Sequence, residues 1–547
     1  MKEKISNIIK DEKKLTIITL ILLIIIPSIW IIPKGLPWSH DIQYHYTRLA
    51  GLTETIKHGD FIALIHDTLN GYGYENGLFY ANFFFYPISL LSLLGLSYIN
   101  AYKIMIILVN IVTVIVSYKC FKSILNNNKY ALLTTTIYSV STYRIMDVIV
   151  RGAMGENLSL IFIPVIMLGI YELIYRDYKR WYIFTLGFVF LLLSHLITSI
   201  FMGIIAFIII LVNYKRFIKE KKRIKYLILS TFIGLLLGLF FILPIFEAYL
   251  DKNIQIFTEG SQITQPYDFR VTLFELFLPK ELLLKNIGYG IYILLPIIYL
   301  FKKDKHKNND LINFSNILII IGIICILFTT SIFPWKYIGK YLTFIQFPWR
   351  LLVVSTPFIS LGITIYIMNI KKKEYINIIR KICIASIIIS FIIALGYSSV
   401  YMLFLKRNTS FDQLVGPGEY LLTGTVIYDE NTVLDNKLIN ENNYKTNNED
   451  LIYTYDKYGK TINIEYKNNN KNDTYIEVPL FNYKGYKVKG AKISNGDNNV
   501  IRLNINNQEG NIKLYYEMTN IQKIAYIISI ISWFIFIPYL IIKKRNN

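Results

Sequence analysis

Apolar residues run along this chain in blocks of about twenty, and short basic stretches separate the blocks. A helix needs roughly 20 apolar residues to cross about 30 Å of hydrocarbon, so each block predicts a span. The first is "LTIITLILLIIIPSIWIIP", residues 15–33, preceded by Lys13 and Lys14. It is too long for a signal-peptide core and no small-residue cleavage site follows it, which predicts a retained helix. Further spans are predicted near 101–118, 130–146, 155–175, 181–195, 197–213, 226–247, 286–301, 314–333, 351–370, 380–402 and 523–542, about twelve with the first. The run from Trp181 to Asn213 exceeds one helix, so a tight turn is placed at "SHLITS". Residues 83–99 are apolar enough to span, but counting them would invert every later basic loop. They predict a juxtamembrane helix entered through Pro87.

The pattern changes in two places. Residues 34–100 form a long mixed loop, and 403–522 are polar and rich in Asn and Tyr. Within the latter, "KTINIEYK", "TYIEVPLF" and "NIKLYYEM" alternate with period two, divided by "NNNKND", "NGDNN" and "NNQEG". Alternation bounded by Asn and Gly predicts short antiparallel strands, hence a small β-sandwich. The expected organisation is a transmembrane domain over 1–402, a β-rich domain over 403–522, and a final helix with a basic tail over 523–547. The fold class is mainly α, polytopic in the membrane.

Composition agrees: 547 residues are 54% hydrophobic and only 17% charged, which excludes an ordinary soluble enzyme. A net charge of +21 would suggest nucleic acid if the basic residues formed one soluble patch. They fall instead in "KCFKSILNNNK", "RDYKR", "KRFIKEKKRIK", "KKDKHK", "KKKEYINIIRK" and "KKRNN", all on one side of the predicted spans. By the positive-inside rule both termini are cytoplasmic, and 34–100 and 403–522 lie outside. The abundance of Ile, Lys and Asn suggests an AT-rich bacterial genome. Cys120, Cys325 and Cys383 have no C-x-x-C spacing, which removes disulfide frameworks and thiolate zinc sites.

Ionisable residues collect on the predicted outer side. "PWSHDIQYHYTRL" carries His40, Asp41, His45 and Arg48; "YRIMDVIVRGAMGENLSL" carries Arg144, Asp147, Arg151 and Glu156; "LLLSHLITS" carries His195 and "FIQFPWRLL" carries Arg350. A charge at mid-bilayer costs about 2.5–3.5 kcal/mol, so these residues need a shared wet cavity near the interface. Arg144 and Arg350 also suit snorkelling to headgroups. Arg151 and Glu156, five apart, also suit a structural ion pair, and His195 a hydrogen-bonded packing residue. A carboxylate with histidines supplies a general base or a divalent-metal site, the latter from His40, Asp41 and His45 without a specific ligand spacing. Arginines supply phosphate recognition. Together they imply displacement at a phosphate-linked carbon. No P-loop, G-x-G-x-x-G or G-x-S-x-G occurs.

A first span, a long loop with an acid near its start, and "ANFFFYPISLLSLLGLSYINAYKIMIILVNIVTVIVSYKCFKSIL" resemble the GT-C superfamily of integral-membrane glycosyltransferases. "RGAMGENLSLIFIPVI", "LLLSHLIT", "FIQFPWRLL", "GEYLL" and "VPLFNYKGYKV" are similar to bacterial YfhO-like proteins and to a related set named after 6-pyruvoyl-tetrahydropterin synthase. The resemblance covers residues 15–542. It implies sugar transfer, with inversion, on the outer face of the cell membrane, from a polyprenyl-phosphate-linked donor to an envelope glycopolymer or lipid. Asp41 matches the family's first-loop acid and is the implied general base. Glu156 would orient the acceptor or an arginine. Arg151, Arg350 or Arg48 would hold the donor phosphate, with His40, His45, Arg144 and His195 as further binding residues. The rival readings are a non-catalytic transporter or flippase of lipid-linked sugars, and an envelope scaffold. A transporter predicts a polar path through the membrane, whereas most predicted spans have continuous Ile, Leu and Phe at their middles.

Overall fold

The computed structural model describes residues 11–258, 266–272, 275–276, 309–369, 373–408, 418–427, 443–469 and 473–545. The chain is mostly helical, with a separate small antiparallel β domain. Among the described residues eight helices are long and apolar enough to cross a membrane: Glu12–Ile31, Tyr98–Leu125, Met154–Tyr175, Lys222–Asp251, Asp310–Phe328, Pro348–Asn369, Asn377–Leu403 and Asn520–Arg545. Each overlaps a predicted span. The stretches 130–146 and 181–195 hold helices of only 12 and 11 residues, Asn128–Ser139 and Tyr182–Leu192, whereas 197–213 forms a third, the expected 17-residue helix Leu196–Val212. Ser141 caps a new short helix after the first, and His195 caps the third, so side chains that bind backbone N–H groups divide the apolar runs. The stretch 286–301 lies outside the described residues. The apolar segment 83–99 contains a helix of 8 residues, Tyr86–Leu93, with Pro87 in its first turn. At about 1.5 Å per residue it is too short to cross.

Contacts divide the chain into two compact units. The first comprises Met1–Ile42, Lys103–Leu235 and Ile263–Thr409; the second comprises Gln43–Tyr102, Leu236–Gln262 and Ser410–Asn547. In the first unit, Met154–Tyr175 and Pro348–Asn369 are the most internal helices, each with 89% of its apolar window buried. Pro348–Asn369 packs closely on Asp310–Phe328. A Cβ on Gly322 would meet Ile359 at 2.6 Å, one on Gly362 would meet Ile319 at 2.7 Å, and Ser315 Oγ donates to Gly362 O at 2.7 Å. Small residues admit such approach where lipid gives helices no hydrophobic reason to associate.

The exit from the first helix is held by Arg407, whose guanidinium donates to the carbonyls of Trp30, Pro33, Lys34, Gly35 and Tyr401 at 2.9–3.3 Å. Strands β1 (Leu36–Pro37) and β2 (Arg407–Asn408) pair beside it. The segment leading to Asp41 is thereby fixed.

In the second unit, strands β3 (Lys445–Thr446), β4 (Ile452–Tyr458), β5 (Thr461–Lys467), β6 (Thr474–Phe481), β7 (Tyr486–Lys489), β8 (Lys492–Asn495), β9 (Val500–Ile505) and β10 (Glu509–Tyr516) form two four-stranded antiparallel sheets. Their orders are β4-β5-β10-β7 and β3-β6-β9-β8. The three alternating stretches become β5, β6 and β10. Their inward residues, among them Ile462, Ile464, Ile476, Val478, Ile512 and Leu514, join one buried cluster with Ile501 and Leu503 of β9. Residues 57–72 belong to this unit: Phe481 N–H donates to Tyr72 O at 3.1 Å, Lys457 Nζ to Gly71 O at 3.0 Å and Tyr458 Oη to Lys57 O at 3.0 Å. The unit's helix Asn520–Arg545 keeps only 17% of its apolar window buried and exposes Phe534, Ile535 and Ile542. An apolar face of that extent suits a lipid bilayer.

Leu503 is fully buried in β9. Leu503→Ala should destabilise the β domain by about 2–5 kcal/mol, while Lys492→Ala, at an exposed position of β8, should leave it within about 0.5 kcal/mol. Thermal unfolding of the detergent-purified chain, followed by β-sheet circular dichroism, checks both.

Candidate functional site

The candidate site of the first unit grows from a short irregular stretch between helices. Thr142–Met146 runs into a single π turn, Asp147–Arg151, which ends at Gly152 before Met154–Tyr175 begins. Gly152 has φ +64°, and a Cβ there would overlap the Ile42 side chain. Only glycine combines that backbone with that approach. Its Cα therefore lets the 39–42 segment lie against the turn. Asp41 N–H and Ser39 Oγ both donate to Arg151 O, at 2.8 and 2.9 Å.

The Arg151 side chain then gathers acids. Nη2 reaches Asp41 Oδ2 at 3.3 Å, and Nη1 reaches Asp147 Oδ1 at 3.0 Å and Glu156 Oε2 at 2.8 Å. Tyr143 Oη donates to Glu156 Oε2 at 2.7 Å, and Arg350 Nε donates to Glu156 Oε1 at 3.0 Å. Arg350 Nη1 also donates to Ile345 O at 3.2 Å and to Gln346 Oε1. Among the described residues, Nη2 of Arg350 meets no protein acceptor. Burial grades across the network. Asp147, Glu156 and Arg151 side chains are 0, 2 and 3% exposed, whereas that of Asp41 is 36% exposed. Asp41 is the most exposed member of the network.

Three carboxylates and two guanidinium groups leave one negative charge too many for a dry interior. Burial and the neighbouring Glu156 carboxylate push Asp147 well above the usual range, against the pull of Arg151. Its Oδ2 is buried with no hydrogen-bond partner among the described residues. With a proton on Asp147 the network is neutral.

The other sequence candidates have separate settings. His195, the cap of Leu196–Val212, pairs Nδ1 with Thr198 Oγ1 at 2.8 Å and interacts electrostatically with Glu156, Arg350 and Arg151. His40 is exposed beside Asp41 in the chain. Arg144 is buried and donates to Ser139 O at 2.8 Å and Asn110 Oδ1 at 2.7 Å. His45 and Arg48 belong to the second unit. Arg48 Nη2 donates to Ala81 O at 2.6 Å, and its guanidinium lies 3.9 Å from the Phe85 ring centroid. His45 packs edge-on to Tyr80 in the same unit. Among the described residues no group of three His, Cys, Asp or Glu side chains is arranged to hold a metal ion, so His40, Asp41 and His45 are not carried forward as a metal set. Asp147 was visible as the acid four residues before Arg151, a helical neighbour. Tyr143 and Gln346 carried no comparable signal.

The chain matches no family model, and no curated protein matches it.

Asp147 binds a proton in the folded state that the unfolded chain releases near the ordinary Asp value of about 3.9. Its contribution to stability therefore declines as pH rises above that value, by up to about 1.4 kcal/mol per unit, until the raised native value is passed. Asp147→Asn, neutral at every pH, should lose this decline. Melting curves of both proteins from pH 5 to 8 should diverge, with the wild type falling relative to the variant; parallel curves would contradict the assignment.

Proposed function

We propose that this protein is a GT-C-type glycosyltransferase of a bacterial cell membrane that moves a sugar from a polyprenyl-phosphate carrier to an envelope glycopolymer or lipid. The observation that carries the reading is the partly exposed Asp41 carboxylate, anchored to the buried Arg151 and continuous with Glu156 and Arg350. In this reading the chain crosses the bilayer about twelve times with both termini in the cytoplasm. The two sheets form a β-sandwich outside, and the Asp41 end of the network faces outward.

Asp41 accepts the proton of an acceptor hydroxyl. The hydroxyl oxygen attacks the anomeric carbon from the face opposite the phosphate, the bond from that carbon to the phosphate oxygen breaks, and polyprenyl phosphate leaves with the electron pair. The anomeric centre inverts. The Nη2 nitrogen of Arg350 is the donor left for the phosphate, since Nε and Nη1 are engaged. Charge growing on the leaving group is met by this preorganised cation at little reorganisation cost. Arg151, satisfied by three carboxylates, positions Asp41 rather than competing for phosphate. Glu156 orients both arginines.

Asp41→Asn should lower sugar transfer by about 10²–10⁴-fold, the usual worth of an oriented general base, with donor binding kept. The assay is transfer from a radiolabelled polyprenyl-phosphate sugar by membranes of a deletion strain carrying either form. Full transfer by the Asn variant would remove Asp41 from the base role. Intact lipid-linked sugar moved across the membrane, with none transferred, would favour the flippase reading.

A further inference from the structure

A cavity lies wholly within the second unit, away in sequence from the Asp41 network. Its volume is about 350 Å³, and its polar lining includes Glu75, Glu247, Asp251 and Lys484. Lys484 Nζ answers two of the acids, lying 3.1 Å from Glu247 Oε1 and 2.6 Å from Asp251 Oδ2. Thr519 Oγ1 donates to the other oxygen of Glu247 at 2.7 Å. Glu75 is left over. It is only 4% exposed, and among the described residues its carboxylate has no hydrogen-bond or ion-pair partner. Burial and the neighbouring Glu247 and Asp251 carboxylates push it up to about 8.

Neither state of Glu75 is complete in the protein alone. An ionised buried carboxylate needs a cation, and a protonated one needs an acceptor. The fold answers the same problem for Glu247 and Asp251 with an ammonium group, that of Lys484. The remaining walls include Leu78, Ile254, Tyr483 and Tyr486, which are apolar or aromatic. They suit an organic ligand, and tyrosine rings favour cations. The described residues show no metal arrangement here.

We infer that this cavity binds a ligand bearing a primary ammonium group, which pairs with the Glu75 carboxylate beside the Lys484 bridge. The volume accommodates a single amino sugar or the aminoethyl head of a lipid. The site does not depend on the transfer reaction proposed for Asp41, and its failure would leave that reading untouched.

The test uses the full chain in phosphatidylcholine nanodiscs, whose quaternary headgroups carry no N–H donors. Glucosamine is titrated calorimetrically with glucose as control, and phosphatidylethanolamine retention is counted by native mass spectrometry. Saturable binding of glucosamine but not glucose, or selective retention of phosphatidylethanolamine, supports the site and identifies its source. Glu75→Gln should weaken that binding by at least about tenfold, as expected for loss of a charged hydrogen bond. Asp251→Asn, at the more exposed rim, should weaken it less, and it decides the matter should the Glu75→Gln chain fail to fold. No binding of either amine to the wild type, or undiminished binding by both variants, would overturn the inference.

Discussion

One guanidinium group, that of Arg151, answers three carboxylates at once in the interior of the helical unit. Placing any of these charges alone among apolar helices would cost several kcal/mol, and the mutual attraction offsets that cost only with close geometry on every member. The chain meets the demand with an unusual local fold. A π turn brings Asp147 and Arg151 into register, and Gly152 lets the 39–42 segment press against the turn. Glu156 follows in the first turn of the next helix, where Arg350 meets it from the other most buried helix. Loss of Arg151, Arg350 or Glu156 strands a charge elsewhere in the set, whereas protonated Asp147 carries none.

The same arrangement separates two tasks within a single network. Its inner members are dry and fixed, so they serve geometry. Of its three acids Asp41 combines a fixed backbone with the greatest exposure, which is what the proposed base role requires. That division explains why an arginine suited to phosphate recognition is better read as a positioning residue once its neighbours are seen. In the proposed reaction the anion donor is then Arg350, whose Nη2 nitrogen meets no acceptor among the described residues.

The apolar blocks made most of the helices legible, because length and hydrophobicity act through each segment by itself. The break in the run from Trp181 to Asn213 was legible at "SHLITS", where His195 caps Leu196–Val212. The break in 130–146 was not, since the Ser141 cap that sets it is a weak signal inside an apolar run. Period-two alternation marked β5, β6 and β10 for the same local reason. The site was legible where its partners are close in sequence, as for Asp147, Arg151 and Glu156. Arg350 lies 194 residues from Glu156, and only its unusual position near an apolar block drew attention. The cluster from His40 to Arg48 reads as one unit in sequence, yet the fold divides it: His40 and Asp41 join the helical unit, while Arg48 braces Tyr80 and Ala81 of the other. Glu75 gave no sequence signal, since its isolation arises from tertiary burial.

In the proposed reaction Asp41 stands at an outward mouth where a polyprenyl-phosphate carrier docks. His40 is exposed next to it, and Cys120, Cys325 and Cys383 are buried, so a cysteine placed by His40→Cys offers a clean probe. Labelling intact cells with a membrane-impermeant maleimide measures the claim directly. Rapid labelling from outside and protection by added polyprenyl phosphate are expected; labelling only after the cytoplasmic face is opened, or labelling indifferent to the carrier, would overturn the proposal.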